Sequence, residues 1–247
     1  MSAKIVEIKT DDGIAECHFF NPPEKGKFPG AILYMDAFGI RPALCDMGER
    51  LASNGYNVLL PNLYYRSGPH KPFDPKTAFS GGPEKDRLMA LYQSINNRLV
   101  MQDTASFLDF LENEATVLPR KFGCVGYCMG GPFALSAAGT FPGRIAAAAS
   151  FHGARLATDQ PDSPHLLAPK MRAGIYVGVA GIDANFSVDQ RKKLEAALQS
   201  AGVTHAVEVY PGAKHGFAVP DTVGYDQAAS EQHWQRLLHL YDENLRG

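Results

Sequence analysis

The chain of 247 residues is 45% hydrophobic with a net charge of −2. That is enough apolar material for one sizeable core, and it offers no basic field for nucleic acid or an anionic membrane surface. No apolar run approaches the ~18 residues of a membrane span. The opening Met-Ser-Ala-Lys-Ile-Val-Glu lacks the pattern of a secretory leader. Cysteines at 17, 45, 124 and 128, with no Cys-x-x-Cys, point to a reduced cytoplasmic protein rather than a disulfide framework or zinc site.

In chain order, residues 3–9 and 13–20 alternate about Asp11-Asp12-Gly13 and predict an N-terminal hairpin. The continuous apolar run 30–35 predicts a strand buried on both faces, followed at its carboxyl end by Asp36-Ala37-Phe38-Gly39. A helix over 43–54 stops at Asn54-Gly55, and 56–60 is the next buried strand, closed by Pro61. From Asn62 to Pro83 the chain is irregular, with Pro69, Pro72, Pro75 and Pro83 beside exposed-looking Tyr64, Tyr65, Phe73 and Phe79. A long irregular segment rich in aromatics predicts a cap over a pocket, spanning about 62–95.

Residues 84–115 predict two helices with Leu99, Phe107, Phe110 and Leu111 on one face. Later strands are expected at 122–127, 145–151, 174–180 and 205–210. Helices are expected after Gly131, over 187–201 and over 225–244. Residues 210–217 read as a loop. Strands alternating with helices predict a mostly parallel sheet in one domain over 1–247, without internal repeats.

The chemistry gathers around Phe122-Gly-Cys-Val-Gly126-Tyr-Cys128-Met-Gly130-Gly131. Strand, Gly-x-Cys-x-Gly and helix together describe a nucleophile elbow, in which the tip residue is strained and aimed over the end of the sheet. Gly126 and Gly130 are needed where strand and helix cross without room for a Cβ. Asp183 and His215 each follow a predicted strand, in the order nucleophile, acid, base. Cys128 would attack an acyl carbonyl, His215 would move its proton, and Asp183 would hold the imidazole tautomer. The N–H groups of Met129 and Ala37 would form the oxyanion hole.

Asp36, at the end of the neighbouring strand, would either accept the thiol proton or raise the thiol pKa. The plainer alternative is a turn residue bonded to its own backbone. Cys17, Cys45 and Cys124 read as structural. A thiol-sensing or binding protein without catalysis is the alternative from another class.

With these residues in view the chain resembles the dienelactone hydrolases, cysteine members of the α/β-hydrolase fold. The resemblance spans nearly the whole length, through Gly126–Gly131, Asp36–Gly39, Tyr56–Tyr64 and Gly212–Phe217. It implies cleavage of small enol-lactones or activated esters through a thioester, without metal or cofactor. Promiscuous carboxylester, phosphotriester or thioester hydrolysis on the same triad is the alternative. The resemblance further implies a carboxylate near the thiol, usually Glu, for which Asp36 stands here.

Family members acting on dienelactone carboxylates carry an arginine shortly after the histidine. His215-Gly-Phe-Ala-Val219-Pro has none, which leaves Lys85, Arg87 or Arg66 to supply a cation from the cap. Phe38, Tyr64, Tyr127 and Phe217 are expected at the pocket. A monomer is the default assembly, with a dimer left open.

Overall fold

The computed structural model describes residues 3–246. Eight strands form one sheet: β1 (Lys4–Thr10), β2 (Gly13–Phe20), β3 (Gly30–Tyr34), β4 (Asn57–Pro61), β5 (Phe122–Tyr127), β6 (Ile145–Phe151), β7 (Gly174–Ile182) and β8 (His205–Lys214). Their spatial order is β1-β2-β4-β3-β5-β6-β7-β8. The hairpin β1–β2 is antiparallel, as is the β2–β4 pair, and every later pairing is parallel. Strands β3, β4 and β5 are buried at every position, as strands covered on both faces must be.

The helices are α1 (Pro42–Ser53), α2 (Gly82–Gln93), α3 (Asn97–Asn113), α4 (Gly130–Thr140), α5 (Val188–Ser200) and α6 (Gln227–Leu245). α1 and α6 pack side by side, with the Arg50 guanidinium 4.6 Å from the Trp234 ring. α3 packs on α4, and α5 joins that layer through the short turn Pro164–Lys170.

The chain runs from β3 outward to β4, then returns to place β5 on the other flank of β3. That reversal opens a crevice beyond the carboxyl ends of β3 and β5, where open α/β sheets bind their ligands.

Three local expectations are corrected. β8 continues to Lys214 rather than ending at 210, because Lys214 pairs with Ile182 after an irregularity in register beyond Ala180. Of the four aromatics expected to be exposed in the irregular segment, Phe79 alone is so: Tyr64 and Phe73 are buried and Tyr65 is half-buried. Phe73 is drawn inward by its N–H bond to the Phe38 carbonyl, at 2.9 Å. The buried stripe of α3 runs through Val100, Asp103, Thr104, Phe107, Leu108 and Leu111, leaving Leu99 and Phe110 half-buried at its margin.

Candidate active site

Cys128 adopts φ 54°, in the left-handed region that a non-glycine residue enters at a cost. Its own N–H donates to the Phe151 carbonyl at 3.2 Å, and its carbonyl accepts from the Gly131 N–H at 3.1 Å, so both sides of the turn are tied down. The flanking glycines are sterically required. A Cβ on Gly126 would lie 1.9 Å from the Gly130 carbonyl oxygen, and one on Gly130 would lie 2.4 Å from that of Tyr34.

The β7–β8 register brings the next two residues together. Ile182 and Lys214 are paired, so Asp183 and His215 leave the sheet side by side. His215 Nδ1 stands 2.7 Å from Asp183 Oδ2, and the other carboxylate oxygen accepts from the Asn185 N–H at 2.8 Å. An ionised carboxylate only accepts, so Nδ1 carries the hydrogen and Nε2 is left for the thiol. Burial works to lower the His215 pKa, but hydrogen bonds and charge from Asp183 and Cys128 outweigh it and push the imidazole up to about 10. Burial likewise opposes ionisation of Asp183, yet the bonds from His215 and Asn185 hold it below its ordinary value.

Cys128 and His215 line one cavity of about 440 Å³. Its other walls are Asp36, Ala37 and Phe38 from the loop after β3, Pro75, Phe79, Leu88, Met89 and Tyr92 from the 62–95 segment, and His152, Asn185, Thr222 and Val223. The irregular segment and α2 therefore roof this cavity. Among the described residues, the Met129 and Ala37 N–H groups have no protein acceptor.

Asp36 is not arranged as a free carboxylate facing the thiol. It is 1% exposed and held bidentately by Arg41, at 2.7 and 2.9 Å. Its Oδ1 also accepts the Phe38 N–H at 3.0 Å, the turn-type bond of the plainer reading. Arg41 in turn donates to Asp221, at 2.6 and 2.8 Å. Burial raises the Asp36 pKa, while Arg41 and the Phe38 N–H pull it down.

Of the remaining expected pocket residues, only Phe38 lines the cavity. Tyr64 is buried behind it, donating to the Ala37 carbonyl at 3.0 Å. Tyr127 lies under the elbow with its hydroxyl 3.0 Å from His233 Nε2, and Phe217 stacks on Tyr210. The proposed cations point elsewhere. Arg66 is bound to Asp12 and Asp103, Arg87 lies 3.9 Å from the Phe73 ring centroid, and Lys85 is exposed on α2. Long basic side chains at loop and helix surfaces find acceptors or water there, which residue type alone does not reveal.

Cys17 and Cys124 are buried, and burial pushes both thiols well above the ordinary range. All four cysteines are free.

Two cavity features were not anticipated. The apolar wall of α2 had no signal beyond weak helical periodicity. His152 carried none either, being a single histidine after a strand.

This is the architecture of an α/β hydrolase, with a cysteine on the turn after β5 and an acid and histidine after β7 and β8. The model of the dienelactone hydrolase family matches residues 16–245, and the chain belongs to that family, as a hydrolase of dienelactone hydrolase type. The carboxymethylenebutenolidase of Rhodococcus opacus is 24% identical over 217 residues, covering 87% of this chain and 81% of the relative.

Among solved structures, a dienelactone hydrolase-like promiscuous phosphotriesterase from metagenomic libraries superposes with a TM-score of 0.78 at 21% identity. That match covers 99% of this chain and 100% of the other. The dienelactone hydrolase of Anabaena variabilis gives 0.73 at 18% identity, covering 99% and 98%. At such identities the structural likeness establishes the fold. Among the described residues, no helix is long and apolar enough to cross a membrane.

Proposed function

We propose that the protein hydrolyses small, uncharged activated esters or enol-lactones through a thioester on Cys128. The observation that carries this reading is one cavity lined by a strained, elbow-borne thiol and by a histidine bonded at 2.7 Å to a carboxylate.

Asp183 keeps one His215 proton on Nδ1, and Nε2 holds the proton that Cys128 gives up, leaving the sulfur as thiolate to bond to the acyl carbon. The Met129 and Ala37 N–H groups receive the oxyanion, the Met129 group at the positive end of α4. Collapse expels the alcohol or enolate, which takes its proton from His215. Water then enters against the thioester, with His215 as base. A thiolate is a good leaving group as well as a nucleophile, which favours activated acyl substrates over amides.

Substrate charge follows from the lining. No Lys or Arg is among the described cavity residues, and the walls are mostly aromatic and aliphatic. A substrate carboxylate would be desolvated there without a partner. The family's carboxylated dienelactone therefore fits less well than a neutral ester or lactone. The same cavity, with no Lys or Arg among its described lining residues, favours a second reading, hydrolysis of neutral phosphotriesters.

Asp36 serves in this scheme as a brace. With Arg41 it holds the Ala37–Gly39 loop, rather than receiving the thiol proton. The free thiols support a reducing, cytoplasmic setting.

The test is hydrolysis of p-nitrophenyl acetate, a dienelactone carboxylate and a neutral phosphotriester by wild type and Cys128→Ala, with intact mass recorded during turnover. Loss of activity in the variant, an acyl adduct in wild type and a preference for the neutral ester are expected. Wild-type rates in Cys128→Ala would show that hydrolysis does not use Cys128 and would leave the thiol to a sensing or binding role.

A further inference from the structure

His152 follows β6 and is unlike His215, the other histidine lining the cavity. It is 2% exposed, and neither Nδ1 nor Nε2 has a hydrogen-bond partner in the protein. It lines the cavity beside Cys128 and His215. Its ring centroid lies 5.2 Å from that of His215, and Phe217 and Tyr127 hold it at 5.2 and 6.0 Å. The backbone is strained to reach this place, with φ 39°, and is pinned by the His152 N–H bond to the Gly178 carbonyl at 2.8 Å.

Burial, reinforced by the neighbouring His215 and His233, holds the His152 pKa well below its ordinary value. It stays neutral, with one nitrogen donating and the other accepting. A buried imidazole with both nitrogens unpaired is costly, and native folds keep such groups where something that enters the site satisfies them.

We propose that His152 is a positioning residue for the water that hydrolyses the Cys128 thioester. The proposal rests on the thioester reading above. A water held for attack needs two to four polar partners, of which His215 Nε2 is one. The other polar groups on the cavity wall are committed or lie farther out. Asp36 is held by Arg41, the Thr222 hydroxyl bonds the Gly216 and Val219 carbonyls, Asn185 is exposed, and Tyr92 is half-buried on α2 in the roof. His152 is the buried, uncommitted group beside the base.

In the step, a water proton passes to His215 Nε2 while the water oxygen bonds to the acyl carbon. The tetrahedral intermediate then collapses, the C–S bond breaks with its electron pair on Sγ, and the His215 proton returns to sulfur. The carboxylic acid leaves. His152 changes neither charge nor covalent state. Its contribution is confined to the second half-reaction, because the first uses the thiol and no water.

The experiment is stopped-flow hydrolysis of p-nitrophenyl acetate by wild type, His152→Phe and His152→Gln, with intact mass of the quenched protein. In His152→Phe the burst rate should change less than about threefold. Steady-state turnover should fall ten- to a hundredfold, and the acyl adduct should rise toward one per chain. His152→Gln, which keeps a donor and an acceptor, should recover most of the turnover. If His152→Phe fails to fold, the smaller His152→Leu is compared with His152→Gln in the same way.

Equal loss in burst and steady state, or no loss in either, overturns the assignment while leaving the thioester intact. Cys128→Ala at wild-type rates overturns the thioester reading, and this one with it.

Discussion

Replacing Asp183 with Asn tests the electrostatics of the site in a way that can be worked through in advance. The swap keeps the shape and removes the charge that faces His215 Nδ1 at 2.7 Å. Lifting His215 from 6.5 to about 10 corresponds to at most about 5 kcal/mol of folding free energy, at about 1.4 kcal/mol per pH unit. Asp183 and Cys128 share that lift against burial, so losing Asp183 alone should cost roughly half of it, about 2–3 kcal/mol.

The histidine's contribution is complete below 6.5, where the unfolded chain is protonated too, and is lost as pH rises through about 10. The depressed Asp183 contributes above its ordinary 3.8 and loses that contribution as pH falls through its lower folded value. The penalty of Asp183→Asn is therefore largest between about pH 4 and 6.5, and it shrinks both toward about pH 10 and in strong acid. Urea unfolding of wild type and variant across this range measures it. Ester hydrolysis at neutral pH should fall about a thousandfold or more, because the amide lets the wrong tautomer in. A penalty equal at pH 5.5 and 10 would refute the pairing as its source.

Three further expectations follow from the geometry. Arg41→Met strips the partner from a carboxylate that is 1% exposed, and should cost about 3–5 kcal/mol in chemical denaturation. Adding Asp36→Asn should return much of this loss, and an additive pair of losses would show that the two do not act as a unit. Gly126→Ala puts a Cβ 1.9 Å from the Gly130 oxygen, so activity and stability should collapse together, whereas Gly143→Ala, open on all sides, should stay within about 0.5 kcal/mol. Met89→Arg places a cation on the cavity wall. It should raise the rate ratio of a carboxylated lactone to p-nitrophenyl acetate about tenfold, the worth of one charge-assisted hydrogen bond. An unchanged ratio would mean that the wall does not set substrate charge.

Much of this molecule is written locally. Apolar runs of five or six residues, each punctuated by Gly, Pro or Asn, announced β3, β4 and β5 because a strand covered on both faces has no polar positions to alternate. The elbow could be read from spacing alone, since only glycine survives where a strand and a helix cross at 1.9 Å from an imagined Cβ. The order Cys128, Asp183, His215 was legible for a related reason. Each residue follows its own strand, and a parallel sheet delivers all such ends to one edge.

Partnership is another matter. Asp36 is five residues from Arg41, but the guanidinium's other carboxylate partner is Asp221, 180 positions away. Only the folded chain shows that the carboxylate is already taken. Tyr64 and Phe73 looked suited to a solvent-facing lid and are buried instead, because hydrophobicity does not say which side of a loop will find a core. The extension of β8 to Lys214 depends on a pairing with Ile182 across an irregular register. Nothing within the residues 211–214 signals it, yet it is what sets His215 against Asp183.

The sequence by itself thus determined the elements, their order and which residues are candidates for the chemistry, because these rest on backbone geometry and periodicity within a few residues. Tertiary structure alone decided that Asp36 is already held by Arg41, that among the described residues no Lys or Arg lines the cavity, and that His152 stands unpaired beside His215. Those properties belong to burial and to contacts between distant segments.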